Sequence, residues 1–387
     1  DKQSEIPLIG ATVQLVSVDE NLGAVTDVNG EFRIKGVPVG RQVLKVSYVG
    51  YSEITVPNIV VTSGKQVVLQ LQLEESFIEM NEVVVTAEVE KDRAQNELAT
   101  VSARTFSLEE VTRYSGGRND VSRLASNFAG VSTADDSRND IVIRGNSPTG
   151  VLWRLEGIPI PNPNHFATLG TTGGPVSAIN TNLLRNSDFL TGAFPAEYGN
   201  ALSGVFDIGF RSGNKDEFEY TAQLAAFSGL EFMAEGPMNK KKTASFLASY
   251  RYSFAGIGAS LGIPVGTNAT PFYQDLSFKF DFGHTPIGHF SLFGIAAASE
   301  IDFLGDEIDE TDLFANPNED AFPRSRIGIV GLRHNFILNN TSYVKTVIST
   351  SANESLFTQD NILENGDKLR VTEVDDLTRR IAVNSYY

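Results

Sequence analysis

Four histidines (His165, His284, His289 and His334) and no cysteine are what this 387-residue chain offers to soft-metal or nucleophilic chemistry. No HExxH or comparable spacing joins the histidines. Without cysteine there is no disulfide scaffold, thiolate zinc site, iron–sulfur cluster or cysteine nucleophile. The carboxylates of LGDEIDETDL (Leu304–Leu313) invite a Ca²⁺ reading. The EF-hand spacing and its central glycine are absent, so the run reads as a solvated external face. With 48 Asp and Glu against 31 Lys and Arg, the net charge of −17 repels phosphate backbones and argues against nucleic acid as a partner. The expectation is no enzyme: no catalytic residue, no metal and no cofactor.

What remains is scaffolding. No apolar run approaches the ~18 residues of a spanning helix, and no basic-plus-apolar leader is present. Hydropathy alone would place the chain in water. Membrane β-barrels escape that test because their strands alternate apolar and polar residues. The chain reads as mainly β.

Residues 6–73 read as short strands between turns: Ala11–Val18, Glu31–Lys35, Gln42–Val49 and Gln66–Leu73. Asp27 and Asn29–Gly30 supply the side-chain caps and positive φ of a tight hairpin. Such spacing without a helical period indicates a β-sandwich. GATVQLVSVDENLGAVTDVNGEFRIKGVPVGRQVLKVSYVGY (residues 10–51) resembles the carboxypeptidase-D regulatory-like domain, a transthyretin-like β-sandwich. The usual Gly-x-Val-x-Asp first strand of that family is not found ahead of residue 1. The resemblance implies a non-catalytic module, and the zinc ligands of the carboxypeptidases are missing.

Glu82, Val83, Val84, Val85, Thr86 and Ala87 form a β-branched run followed by a charged, aperiodic linker, Glu88–Arg93. A β-prone hexapeptide beside a linker can add to the edge of a partner's sheet, with backbone hydrogen bonds supplying the affinity. The plain alternative is a last strand of the sandwich. In place and type the segment resembles a TonB box, which implies a TonB-type energy transducer in the periplasm as partner.

Further on, Ser107–Glu110 fits a capping box opening a helix that stops near Gly117. Asp120–Ala129 carries Val121, Leu124, Ala125 and Phe128 at helical spacing, with Gly130 as the stop. Strands are expected at Asp140–Arg144, Val151–Leu155, Asn186–Leu190 and Gly204–Phe210, making a small α+β domain. Three segments resemble the plug of TonB-dependent receptors: the strand ending in Arg144–Gly145, the strand and turn around Glu156–Gly157, and TGAFPAEYGNALSGV (Thr191–Val205) with Glu197, Tyr198 and Gly199. Gly145, Gly157, Gly199 and Gly204 are expected at φ values that a side chain forbids. Arg144 and Glu197 are expected in ion pairs. The Pro159–Gly174 loop is long and rich in Pro and Gly, and its Asn162, Asn164, His165 and Phe166 are the candidate ligand-facing residues. The lone Trp153 reads as core.

From Phe218 onward the alternation changes character. Phe218, Tyr220, Leu224, Leu230 and Phe232 share one face through Ala234; Ala244, Phe246, Ala248, Tyr250 and Tyr252 share the next; Leu276, Phe278, Phe280 and Phe282 oppose Ser277, Lys279 and Asp281. These runs approach the ~9–11 residues of a tilted spanning strand, and short and long links alternate between them. About seven strands are expected, through Arg326–Phe336, Ser342–Ser351 and Leu369–Tyr387. An open sheet in lipid leaves edge groups unpaired, and plugged barrels have ~22 strands, so a longer polypeptide is expected.

The domain reading is 1–75 regulatory-like sandwich, 76–97 TonB-box strand and linker, 98–213 α+β plug, and 214–387 the first strands of a large antiparallel transmembrane β-barrel. The resemblance implies TonB-dependent import of a large or scarce nutrient (glycan, peptide or metal chelate) across the outer membrane of a Gram-negative bacterium, with the N-terminal domain in the periplasm. Implied partners are outer-membrane lipids, the nutrient ligand and a SusD-like lipoprotein lid. The alternative is a plugged barrel anchoring a surface or secretion complex.

Overall fold

The computed structural model describes residues 1–2, 6–16, 22–75, 103–106, 111, 117, 119–133, 137–167, 171–185, 187–225, 229–253, 269, 271–305, 316–339 and 342–387. The Glu82–Ala87 strand, its linker, the 255–268 segment and most of the acidic run lie outside these residues. So does the helix expected after Ser107, apart from Val111 and Gly117.

Alternation in the N-terminal segment closes a core of its own. Strands β1 (Thr12–Leu15), β2 (Gly23–Val25), β3 (Gly40–Ser47) and β4 (Ile54–Val61) pair antiparallel in the order β2-β1-β3-β4. Val13, Leu15, Leu44 and Val46 point inward with Ile59 and Leu73, each buried side chain contributing ~1.5–3 kcal/mol. The Asp27 carboxylate accepts from the amides of Asn29 and Glu31, as a capped turn requires. Gly30 alone takes the positive φ, and a Cβ there would sit 2.9 Å from that of Pro7. Two expected strands, Glu31–Lys35 and Gln66–Leu73, pack on this core without joining a ladder, and β4 replaces them in the sheet.

Next comes a mixed five-stranded sheet: β5 (Ala103–Phe106), β8 (Val151–Leu155), β9 (Ile158–Pro159), β12 (Ser187–Leu190) and β13 (Gly204–Ile208), in the order β5-β12-β13-β8-β9. Only β13 and β8 run parallel. A hairpin of β6 (Val131–Thr133) and β7 (Ile141–Ile143), the short pair β10 (Asn164–His165) and β11 (Val176–Ser177), and helix α1 (Val121–Ala125) surround it. Asp120 caps α1 by accepting from Ser122 N, and the helix ends four residues earlier than Ala129. Trp153 stacks on Phe206 at 4.2 Å, as core.

Eight strands then form one antiparallel meander: β14 (Glu219–Ala225), β15 (Gly229–Pro237), β16 (Ser245–Tyr252), β17 (Phe272–Thr285), β18 (Gly288–Glu300), β19 (Glu319–Asn339), β20 (Ser342–Ile362) and β21 (Lys368–Tyr386). The single run expected from Phe218 to Ala234 is thus a hairpin, with Ala225 opposite Gly229. Phe218, Tyr220, Leu230, Phe232, Leu332 and Ile348 stand exposed, while Glu231, Arg251, Lys279 and Arg333 are buried on the opposite face. A sheet with charge inside and grease outside is built for hydrocarbon. On β18 the apolar stripe runs from Phe290 to Ala298 and stops at Glu300, which pairs with Arg324 at 2.6 Å. The longest strands extend past this band, so the wall stands taller than the apolar stripe. Links 238–244 and 286–287 lie at one end of the wall, and the β14–β15, β16–β17, β18–β19 and β20–β21 junctions lie at the other.

Candidate functional site

The concave face of the wall is not a water-lined surface where it meets the mixed sheet. Met233, Leu247, Phe293, Ile295, Ile327, Ile329 and Val347 join Ile143, Phe189, Phe206 and Phe210 in one buried cluster. The polar side chains on the same face form discrete clamps between the two bodies.

Glu156 is the hub of the first clamp. It occupies the β8–β9 turn at φ +52° and is 2% exposed. Its carboxylate accepts from Phe210 N (2.7 Å), Lys279 Nζ on β17 (2.8 Å) and Arg333 Nη1 on β19 (2.9 Å). Lys279 also donates to the Phe210 carbonyl at 2.7 Å. Burial alone would raise the Glu156 pKa, but the charges of Lys279, Arg185 and Arg333 outweigh it and hold the group at about 2. One carboxylate therefore ties the turn to two wall strands.

Arg154, two residues earlier, makes the second clamp. Its guanidinium meets Glu197 at 3.3 Å and Asp207 at 3.7 Å, lies over the Tyr198 ring, and donates to Gly157 O and to the Tyr386 hydroxyl on β21. Burial works against this cation, and Asp207, with Tyr386, Tyr198 and Glu197, more than restores it, raising the pKa. Tyr198 closes the ring by donating to Asp207 at 2.9 Å.

Further clamps repeat the pattern. Arg211 binds Glu235 through both terminal guanidinium nitrogens, Nη1 at 2.7 Å and Nη2 at 2.8 Å. Asn180 and Asn182 donate to Glu231. His165 shares Asp275 on β17 with Arg251, which in turn donates to Ser177 O. His165 is 1% exposed, and its pKa is lowered chiefly by burial against the partial compensation of Asp275.

The sequence motifs divide accordingly. Glu156, Gly157, Glu197 and Tyr198 come together around Arg154. Arg144 instead stands exposed and donates to the Thr191 hydroxyl at 3.5 Å. Gly145 and Gly157 take positive φ as expected, whereas Gly199 and Gly204 do not lie in the left-handed region. Gly204 serves close approach, since a Cβ there would meet Ile143 Cδ1 at 2.2 Å, and Asn200 takes the positive φ beside Gly199. In the 159–174 loop Asn164 and His165 are buried: Asn164 bridges Asn162 and Asn139, His165 holds the wall, and Phe166 N donates to Ser299 on β18. Among the described residues no cluster of His, Asp and Glu could hold a metal ion. The wall residues Glu231, Arg251, Asp275, Lys279 and Arg333 were not singled out as site residues from sequence. Their signal is an ionisable group on the polar side of a spanning strand.

The family model of the TonB-dependent receptor plug domain matches residues 93–205, the body that holds these clamps. This body is similar to the plug domain of the TonB-dependent receptors. The model of the CarboxypepD_reg-like domain matches residues 1–85, ahead of the plug. No curated protein matches the chain. Similar solved structures include the ferric enterobactin receptor of Pseudomonas aeruginosa (14% identity, 73% of this chain and 46% of that one, TM-score 0.46). The outer membrane transporter YddB of Escherichia coli (16%, 66% and 39%, 0.45) and the pyoverdine outer membrane receptor FpvA of P. aeruginosa (13%, 68% and 40%, 0.47) are two more. The chain thus spans less than half the length of these structures.

Proposed function

We propose that this chain is the sandwich, plug and first wall strands of a TonB-dependent transporter that imports a large or scarce nutrient across the outer membrane. The supporting observation is the plug seated on a sheet whose greasy face is outside, joined to it by buried charge rather than by a covalent or purely apolar seal. A clamp such as Glu156–Lys279–Arg333 would be broken as a unit by a pull on the plug, which is what a gate driven from outside requires. The energy must come from beyond the outer membrane, which carries no ATP. Glu82–Ala87 is the segment we assign to a periplasmic transducer, by strand addition to its sheet edge. A ligand at the outer mouth must bind one plug state better than the other to influence that coupling. Glycans, peptides and metal chelates remain the substrate classes, and a SusD-like lid belongs to the glycan and peptide cases. Deleting residues 82–87 tests the reading. Energy-dependent uptake of a labelled glycan, peptide or ferric-chelate pool should vanish while the receptor still reaches the outer membrane. Undiminished uptake would exclude coupling through this strand, and a correctly inserted protein that carries none of the pools would favour an anchoring role.

A further inference from the structure

The N-terminal sandwich and the wall have separate apolar cores, one made of Val13, Leu15, Leu44, Val46, Ile59 and Leu73, the other of plug and wall residues. The joints between them are polar. Lys65 of the sandwich reaches Glu219 (3.9 Å) and Glu235 (3.8 Å) at the start of β14 and the end of β15. Gln66 N donates to Glu219 at 3.0 Å, and Asn214 donates to the Gln66 side chain at 3.2 Å. Lys215 pairs with Glu31 at 2.6 Å, and Arg33 pairs with Asp216. These contacts sit at the end of the wall that carries links 238–244 and 286–287.

Between the two bodies lies a chamber of about 820 Å³. Its plug and wall side is lined by Arg185, Lys279, Asp281, Ser291 and Arg333; on the other side it is lined by Gln66–Leu73 and runs into the sandwich as far as the core residues Val13, Leu15 and Leu44. Lys279 and Arg333 are the same side chains that hold Glu156. Opening that clamp therefore leads into a chamber that the sandwich covers.

We propose that the sandwich is a docked stop beneath the plug, an intramolecular partner that shuts this chamber and must leave before anything moving along the wall can exit. The direction of travel rests on the transport reading; the docking rests on the contacts alone. Exposed ion pairs hold weakly and are screened over ~8 Å at physiological salt, so the joint is reversible where an apolar seam would not be.

These 387 residues contain no cysteine, so one introduced thiol is unique among them, and the receptor without it serves as the labelling blank. Ser291→Cys places it on the wall side of the chamber. In isolated outer membranes bearing the full-length receptor, a charged thiol reagent should label it slowly. Adding Lys65→Glu and Lys215→Glu sets carboxylate against carboxylate at both joints. Labelling should then accelerate roughly tenfold, the order expected when two exposed pairs become repulsions. The exchange of Lys215→Glu with Glu31→Lys should label slowly again, whereas Lys215→Glu alone should not. Amide-exchange protection of β3 shows whether the sandwich itself has stayed folded, and where it has not, the charge exchange decides. Labelling indifferent to every charge change, whether fast or slow, overturns the stop. Uptake plays no part in this readout: a receptor that labels as expected but carries nothing keeps the stop and refutes transport.

Discussion

The sandwich and the wall are both antiparallel sheets with a two-residue period, yet they bury opposite faces. Val13, Leu15, Leu44 and Val46 are inside the sandwich, while the wall turns Leu230, Phe232, Leu332 and Ile348 outward and encloses Glu231, Arg251, Lys279 and Arg333. Periodicity sets which residues share a face, and only the surroundings decide which face is dry. In the wall the enclosed charges are not isolated: each of these four finds an oppositely charged or amide partner on the plug or a neighbouring strand. The consequence is a division of labour. Apolar contact fills the space between plug and wall, and buried ion pairs determine whether the two stay together.

The largest expected effect follows from removing one side of such a pair. Glu156→Ala leaves Lys279 and Arg333 buried without their carboxylate, a change that typically costs ~3–5 kcal/mol. Denaturant unfolding in detergent should show the plug detaching first. Glu156→Ala combined with Lys279→Met should recover a large part of the loss, because the stranded ammonium is gone. If the single and double variants unfold alike, the pair holds nothing together.

A second experiment sharpens the contrast between the two sheets directly. Leu332→Arg puts a cation on the outward stripe of β19, where midplane positions of spanning strands lose ~2–4 kcal/mol. Val60→Arg makes the same kind of change at an exposed position of the sandwich, where surface substitutions stay within ~0.5 kcal/mol. Folding into lipid vesicles, measured for both variants, should separate them. Equal costs would mean that the wall's outward face does not meet acyl chains.

How much of this was legible in the sequence depends on where the partners lie. The Asp27–Gly30 turn, Val151–Leu155 and the outward stripe are local patterns and were read correctly. Strand β4 was missed because Pro57 and Asn58 interrupt it, with Asn58 at φ +60° and a register shift opposite Gln42 and Leu44. The β14–β15 hairpin was hidden by parity. Leu224 faces Leu230 and Ala222 faces Phe232, so even-numbered residues stay on one side through the reversal and the alternation reads as one unbroken strand. The motif residues around Glu156 were visible, but its wall partners lie 123 and 177 positions away. The burial of His165 was likewise invisible, since a loop rich in Pro and Gly gives no sign of the Asp275 waiting on β17.

Acid should take the plug from the wall in two stages, and their order tests the electrostatic account. Burial lowers the His165 pKa below its ordinary 6.5, so the folded protein binds fewer protons there than the unfolded chain. Stability contributed at this site is whole above about 6.5 and declines as pH falls through the lowered value. Glu156, held at about 2 by its cations, acts with the same sign in a lower window: its contribution is complete above the ordinary 4.5 and is lost as pH falls toward 2. Midpoints of plug release should therefore begin to fall below about 6.5, from His165, and fall further as pH drops from 4.5 toward 2, from Glu156. His165→Gln should remove the fall that begins near 6.5, and Glu156→Gln should remove the part that belongs to the carboxylate.

The smallest effect belongs to the sandwich joint. Lys215→Ala removes a half-exposed pair with Glu31, worth at most ~1 kcal/mol and less in salt. Global stability should scarcely move, because neither apolar core contains either residue. What should change is the salt dependence of amide exchange at Gln66, whose backbone N–H is held by Glu219. With Lys215 present, raising ionic strength loosens the joint and speeds exchange; without it, part of that response is already spent. An identical salt response in the two proteins would mean that the sandwich is held to the wall by something other than its charges.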